Sequence, residues 1–137
     1  METNIVAESA QLTTAQREVG KAELLKFFQL VDPATIDQFK MFSGAVDAVW
    51  HDLLHEPAEY EKFLSEGSID TAMGHAPGDG YGIIQWVGAY HEKFGQLDPI
   101  WFTAADGTVD EASYQAYLST NVVVTAWDCG PILPKMA

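Results

Sequence analysis

The sequence predicts a mostly α-helical domain: a compact bundle of about five helices, followed by an irregular C-terminal segment with room for a short strand pair. Three observations carry this expectation. Apolar residues recur at helical spacing in several stretches, most clearly at Val46, Val49, Trp50, Leu53 and Leu54, where steps of i, i+3, i+4, i+7 and i+8 build one buried stripe. Residues that start and stop helices punctuate those stretches. One late stretch, Asn121 to Trp127, is instead dominated by β-branched residues, which suit an extended strand.

The elements follow in order. Residues 1–12 lack periodicity and are expected to form a flexible arm, leaving 13–137 as a single helical domain. Thr13 with Gln16 forms a capping box, each side chain satisfying a free backbone donor, so a helix runs from there to about Leu30 with Leu24, Phe27, Phe28 and Val31 on its buried face. Asp32 then caps a short second helix whose first residue is Pro33, and Ser43-Gly44 breaks it. The third helix spans Ala45 to Glu56 and is closed by Pro57, whose ring disfavours the α conformation at the residue before it. Ala58 to Leu64 buries Tyr60, Phe63 and Leu64 and ends near Gly67.

Ser68 to Gly80 is glycine- and proline-rich and is expected to be a loop opening onto a helix start, where free N–H groups can hold an anion. A helix over Tyr81 to Phe94, stopped by Gly95, would bury Ile83, Ile84, Val87, Tyr90, His91 and Phe94. Leu97 to Phe102 is a bound aromatic segment, Ala105 to Thr108 a turn, and Val109 to Leu118 a short helix. The strand over 121–127 needs a partner, and Trp101-Phe102-Thr103 is the one the sequence offers.

A chain of 137 residues with 47% hydrophobic and 12% aromatic content can bury a core. Its 20 acidic and 7 basic residues give a formal charge of −13, which repels phosphate backbones and anionic lipid, so nucleic acid and membrane partners are excluded as expectations. The acidic surface either keeps the protein soluble or meets a basic protein partner. One cysteine, Cys129, allows no internal disulfide, and the first residues show no signal peptide, so a cytoplasmic location is expected.

Several short motifs occur together: Glu23-Leu24-Leu25-Lys26-Phe27-Phe28, Val46-Asp47-Ala48-Val49-Trp50-His51, Tyr60-Glu61-Lys62-Phe63, His75-Ala76-Pro77, and Tyr90-His91-Glu92-Lys93-Phe94-Gly95. In order and spacing they resemble the glycine-rich domain-containing protein-like family, over roughly residues 20–101. The family's pattern has a cysteine where Leu64 stands, a second histidine where Gly74 stands, and a threonine where Pro57 stands. The resemblance implies a helical module and picks out Asp47, Trp50, His51 and His75; it implies no particular reaction.

The candidate chemistry centres on histidine. His51 and His55 lie one helical turn apart and can converge on one metal ion, a divalent transition metal such as zinc, with His75 or His91 completing the nitrogen set. Asp47 or Asp52 can supply a carboxylate ligand; alternatively Asp47 accepts the ring N–H of His51 and fixes its tautomer. Cys129 is a soft ligand or a nucleophile, although the neighbouring Asp128 would raise its pKa. The expected site is therefore His51, His75 and Asp47, performing acid-base or metal-assisted chemistry on a small molecule. The competing expectation is an acidic, non-catalytic interaction module in which His51 borders the core, His55 is solvated and His91 is a satisfied buried histidine. Trp50, Trp86, Trp101 and Trp127 either line a small-molecule pocket or, as their helical spacing favours, fill the core.

Overall fold

The computed structural model describes residues 7–69 and 73–132. In chain order these form α1 (Thr14–Leu30), a 3-10 turn (Pro33–Gln38), α2 (Gly44–Leu54), α3 (Pro57–Glu66), β1 (Gly74–Ile83), α4 (Val87–Phe94), a second 3-10 turn (Pro99–Phe102), α5 (Glu111–Thr120) and β2 (Val124–Ile132). The architecture is mostly α, with one antiparallel strand pair that uses the C-terminal end of the described chain. No helix among the described residues is long and apolar enough to cross a membrane.

Helix starts fall where side chains can cap them. Thr13 accepts from the Gln16 backbone while the Gln16 side chain accepts from the Thr13 N–H, so the first orphan donors of α1 are met locally. Asp32 caps the first 3-10 turn, and Pro33 opens it. Ser43 is buried at the head of α2, where its hydroxyl accepts from Val46 N at 3.1 Å and donates to the Ile100 carbonyl at 2.8 Å. That cap ties α2 to the second 3-10 turn.

The core is largely aromatic. Leu24, Phe27 and Phe28 of α1 pack on Val46, Val49 and Trp50 of α2. Phe28 meets Trp50 edge-on at 5.2 Å, Phe27 meets Trp86 at 5.0 Å, and Trp86 meets Trp101 at 4.9 Å, in the tilted and edge geometries that ring quadrupoles favour. Tyr60, Phe63 and Leu64 of α3 close the layer beside Phe28.

A carboxylate lies within this cluster. Glu23 is only 4% exposed; its Oε1 accepts from the Tyr90 hydroxyl and from Trp101 Nε1 at 2.9 Å, and its Oε2 pairs with Lys26 Nζ at 2.9 Å. A buried carboxylate is tolerable only when such donors replace its water. Burial and the adjacent Glu23 charge push the Tyr90 hydroxyl pKa well above the ordinary tyrosine value, so it remains a donor.

The structure departs from the sequence expectations in three places. Residues 74–80 of the predicted loop and 81–83 of the predicted helix are strand, while 70–72 of that loop lie outside the described residues: Gly82 weakens a helix and Tyr81 and Ile83 find cross-strand partners in Ala126 and Val124. Gly80 is required there: a Cβ would stand 2.5 Å from the Trp127 ring. The helix shortens to Val87–Phe94. β2 accordingly pairs with β1 rather than with 101–103, where Thr103 bridges Val109 instead.

The third departure is the N-terminal arm. Its residues 1–6 lie outside the described residues, but Ala7 to Leu12 form docked turns with Leu12 only 3% exposed. Arg17 donates to the Ser9 and Leu12 carbonyls, and Asp52 of α2 accepts from Glu8 N and Ser9 N. Order here comes from distant side chains meeting backbone groups, which leaves no periodic signal.

Two outcomes follow. Glu23→Ala strands the Tyr90 and Trp101 donors in the core and is expected to cost about 3–5 kcal/mol, read as a lowered urea midpoint, whereas Glu23→Gln keeps an acceptor oxygen and loses less. The buried Tyr60 hydroxyl accepts from Trp50 Nε1 and donates to the Met73 carbonyl, and burial raises its pKa from 10.0 to about 12, with the Trp50 hydrogen bond pulling the other way. The folded protein thus holds this proton more tightly than the unfolded chain, so the associated stability is full below pH 10 and lost as pH climbs towards 12. Tyr60→Phe should shrink the loss of urea midpoint between neutral and strongly alkaline buffer.

Candidate functional site

The strand pair and α2 together assemble the site. In the antiparallel register His75 stands opposite Pro131 and Pro77 opposite Cys129, and side chains alternate faces along each strand. His75 and Cys129 therefore lie diagonally on one face of the ribbon, the face turned towards α2. β2 is held close to the chain ahead of α2: Met41 N donates to the Cys129 carbonyl at 2.9 Å, and a Cβ on Gly130 would stand 2.8 Å from the Phe39 carbonyl oxygen. On α2, Asp47 and His51 are one turn apart and share a face.

Four donor groups converge at this junction. His75 Nε2 is 3.1 Å from Asp47 Oδ1, and Cys129 Sγ is 3.3 Å from the same oxygen. His51 Nε2 is 3.0 Å from His75 Nε2 and 3.4 Å from Asp47 Oδ2. One ligand atom each from Asp47, His75 and Cys129 lie within 4.8 Å of one another. Cys129 forms the buried floor, and the side chains of His75, Asp47 and His51 are 19%, 28% and 29% exposed, so the cluster opens to solvent on the His51 side. The Trp50 ring packs edge-on against His75 at 4.6 Å and fixes its plane from behind.

The electrostatics follow from burial. The Cys129 thiol is pushed well above its ordinary pKa, first by burial, then by the charge and hydrogen bond of Asp47, and least by Asp128. It is a neutral donor to Asp47 and a poor free nucleophile. A cation placed among these groups would invert that balance, since a coordinating thiol is deprotonated.

His51 is oriented from its far side. Its Nδ1 lies 2.6 Å from Glu8 Oε2, and Glu8 belongs to the turn that Asp52 holds. With Glu8 accepting the Nδ1–H, the lone pair of Nε2 faces His75 and Asp47. The sequence expectation set Asp47 to orient His51; in the structure Asp47 Oδ2 lies 3.4 Å from His51 Nε2, and the carboxylate at Nδ1 is Glu8, from the aperiodic N-terminal turn 43 residues away. No spacing rule reaches that far.

The remaining candidates lie elsewhere. His55 is exposed at the C-terminal cap of α2, one turn beyond His51, whose carbonyl accepts its backbone N–H at 3.2 Å, and it is not among the converging donors. His91 Nε2 is 2.6 Å from the Tyr117 hydroxyl, which also accepts from Leu97 N, so this histidine is engaged in packing α4 against α5. Asp52 faces the Glu8–Ser9 backbone. The segment from Gly74 to Gly80 is strand and presents no helix N-terminus to an anion.

What the cluster offers is a mixed set of two imidazoles, a carboxylate and a thiol, the donor types that zinc-class ions accept. Donors around a tetrahedral zinc stand roughly 3.3–3.7 Å apart; the Asp47–His75 and Asp47–Cys129 separations of 3.1 and 3.3 Å are close to that, while the three ligand atoms as a set fall within 4.8 Å and His51 lies beside them.

Glu8→Ala is expected to raise the share of the Nε2–H tautomer of His51, read from imidazole nitrogen chemical shifts, while costing under about 1 kcal/mol because the pair is exposed. Asp52→Ala should give the same tautomer change and also lower stability by about 1–3 kcal/mol, since it frees the whole turn. Equal tautomer populations in all three proteins would remove Glu8 from its role. No family model, curated protein or solved structure gives a significant match to this chain, and the chemistry of the site rests on its own residues.

Proposed function

We propose that this protein binds one divalent transition metal ion, zinc or a close analogue, through Asp47, His75 and Cys129, with His51 as the fourth donor. The observation that carries this reading is the convergence of ligand atoms from three separate elements, α2, β1 and β2, within 4.8 Å. Groups so far apart in the chain meet only because strand register and helix face both direct them there. Three of the four, Asp47, His51 and His75, are also residues picked out by the family resemblance, and a reducing compartment such as the cytoplasm suits a thiol ligand.

The half-exposed His51 side gives the site its chemical use. A small polar molecule or water can approach there while Cys129 and His75 stay packed below. If His51 leaves the ligand set, its Nε2 remains within reach as an acid or base, held by Glu8. The activity this arrangement would serve is metal-assisted proton transfer or hydrolysis on a small molecule.

Untagged protein should carry about one zinc-class ion per chain by elemental analysis, as a site of this ligand count holds. His75→Ala and Cys129→Ser should lose it, while His55→Ala and His91→Ala keep it. Cobalt-loaded protein should show a thiolate-to-cobalt charge-transfer band that Cys129→Ser lacks. Because the folded thiol is protonated at neutral pH, metal binding must displace its proton, so affinity should rise with pH. Folded protein that takes up no metal, or variants that keep it, would overturn the proposal.

A further inference from the structure

A second concavity lies away from the histidine cluster. It is a cleft of about 670 Å³ between the second 3-10 turn, α5 and the start of β2, within the range of small-molecule sites. Four aromatic residues contribute to its walls: Phe42 beside Trp101, with ring centroids 5.4 Å apart and planes 33° apart, and Phe102 beside Tyr117, at 5.3 Å and 30°.

Most polar tips of these walls are engaged elsewhere. The Trp101 N–H is held by Glu23, and the Tyr117 hydroxyl by His91 and Leu97 N. The Thr103 hydroxyl donates to the Pro99 carbonyl, and the Thr120 hydroxyl to the Ala116 carbonyl. The lining therefore presents mainly carbon, and the exposed Val122 and Val124, 44% and 52% accessible, extend that apolar surface to the mouth. Water in such a cleft finds few free partners, so its displacement by an apolar ligand is favourable.

Charge narrows the ligand further. The charged side chain in the lining is Asp110, and among the described residues no lysine, arginine or histidine joins it. Asp110 caps α5, accepting from Ser113 N at 3.1 Å and Ser113 Oγ at 2.7 Å. These bonds hold its carboxyl below the usual range, keeping it ionised, and the chain as a whole carries −13. An anionic ligand would meet repulsion from both.

We infer that this cleft binds an uncharged, planar aromatic molecule, at a site separate from the histidine cluster and independent of any metal there. The aromatic side chains in the wall offer carbon surface that suits a flat ring; with most polar side chains of the wall already bonded within the protein, the ligand is recognised by shape and apolar contact more than by hydrogen bonds.

The test uses full-length protein and two probes of similar size, 2-methoxynaphthalene and 2-naphthoate, titrated calorimetrically. The neutral probe should bind saturably, about one per chain, and the carboxylate at least tenfold more weakly. Ala116→Phe fills the cleft from the solvent-exposed side of α5, so it should fold, as circular dichroism will show, and abolish binding. Asp110→Asn keeps the helix cap but removes the charge; it should retain the neutral probe and narrow the gap to the carboxylate. Absence of saturable binding by the neutral probe, unchanged binding in folded Ala116→Phe, or equal affinity for the two probes would each overturn the inference.

Discussion

The buried Glu23 carboxylate is the constraint from which much of the packing follows. A charge removed from water requires donors at fixed positions, and those donors come from two other elements, Tyr90 on α4 and Trp101 on the second 3-10 turn. Satisfying one side chain of α1 thus fixes where both segments lie. Trp101 in turn sets the ring stack running through Trp86 to Phe27. Its indole is pulled inward at its nitrogen end, leaving part of the ring to line the cleft beside Phe42. The acidic group that looks least compatible with a hydrophobic core is what gives that core its geometry.

The histidine cluster depends on a different kind of support. α2 supplies Asp47 and His51 from a helix whose adjoining face carries Trp50 and Val46 into the core, so both donors stand on a rigid base. The strand pair supplies His75 and Cys129, fixed by register and by the contact of β2 with Met41 and Phe39. Glu8 reaches His51 only because Asp52, one residue further along α2, captures the N-terminal turn. Neighbouring residues on one helix therefore divide the work, His51 facing the cluster while Asp52 anchors the segment that orients it.

Much of this was legible from local chemistry. The capping box at Thr13, the Asp32-Pro33 start, the stripe Val46 to Leu53 and the Gly95 stop all act through neighbours within one turn, and each lies where sequence logic puts it. His51, His75 and Asp47 come together as the sequence suggested, and Cys129 joins them. The misses are non-local. Glycines at 78 and 80 signal a loop until the partner strand beyond α5 is known, and Trp127 lying over Gly80 explains why only a residue without a side chain fits there. His55 follows His51 at the spacing of a metal pair, but it is exposed at the C-terminal cap of α2 and stands outside the converging donors. Glu23 stands in a polar-looking position of α1, and nothing near it in sequence announces the two donors that bury it.

The two strands meet across most of the second half of the chain, with Ile83 beside Val124 and Gly74 beside Ile132. α4, the second 3-10 turn and α5 lie between them in sequence, and contacts of such sequence separation are slow to form. The helices can condense around their aromatic centre while His75 and Cys129 are still apart. The histidine cluster therefore depends on this distant pairing, and it exists only when the ends of the ribbon have found one another.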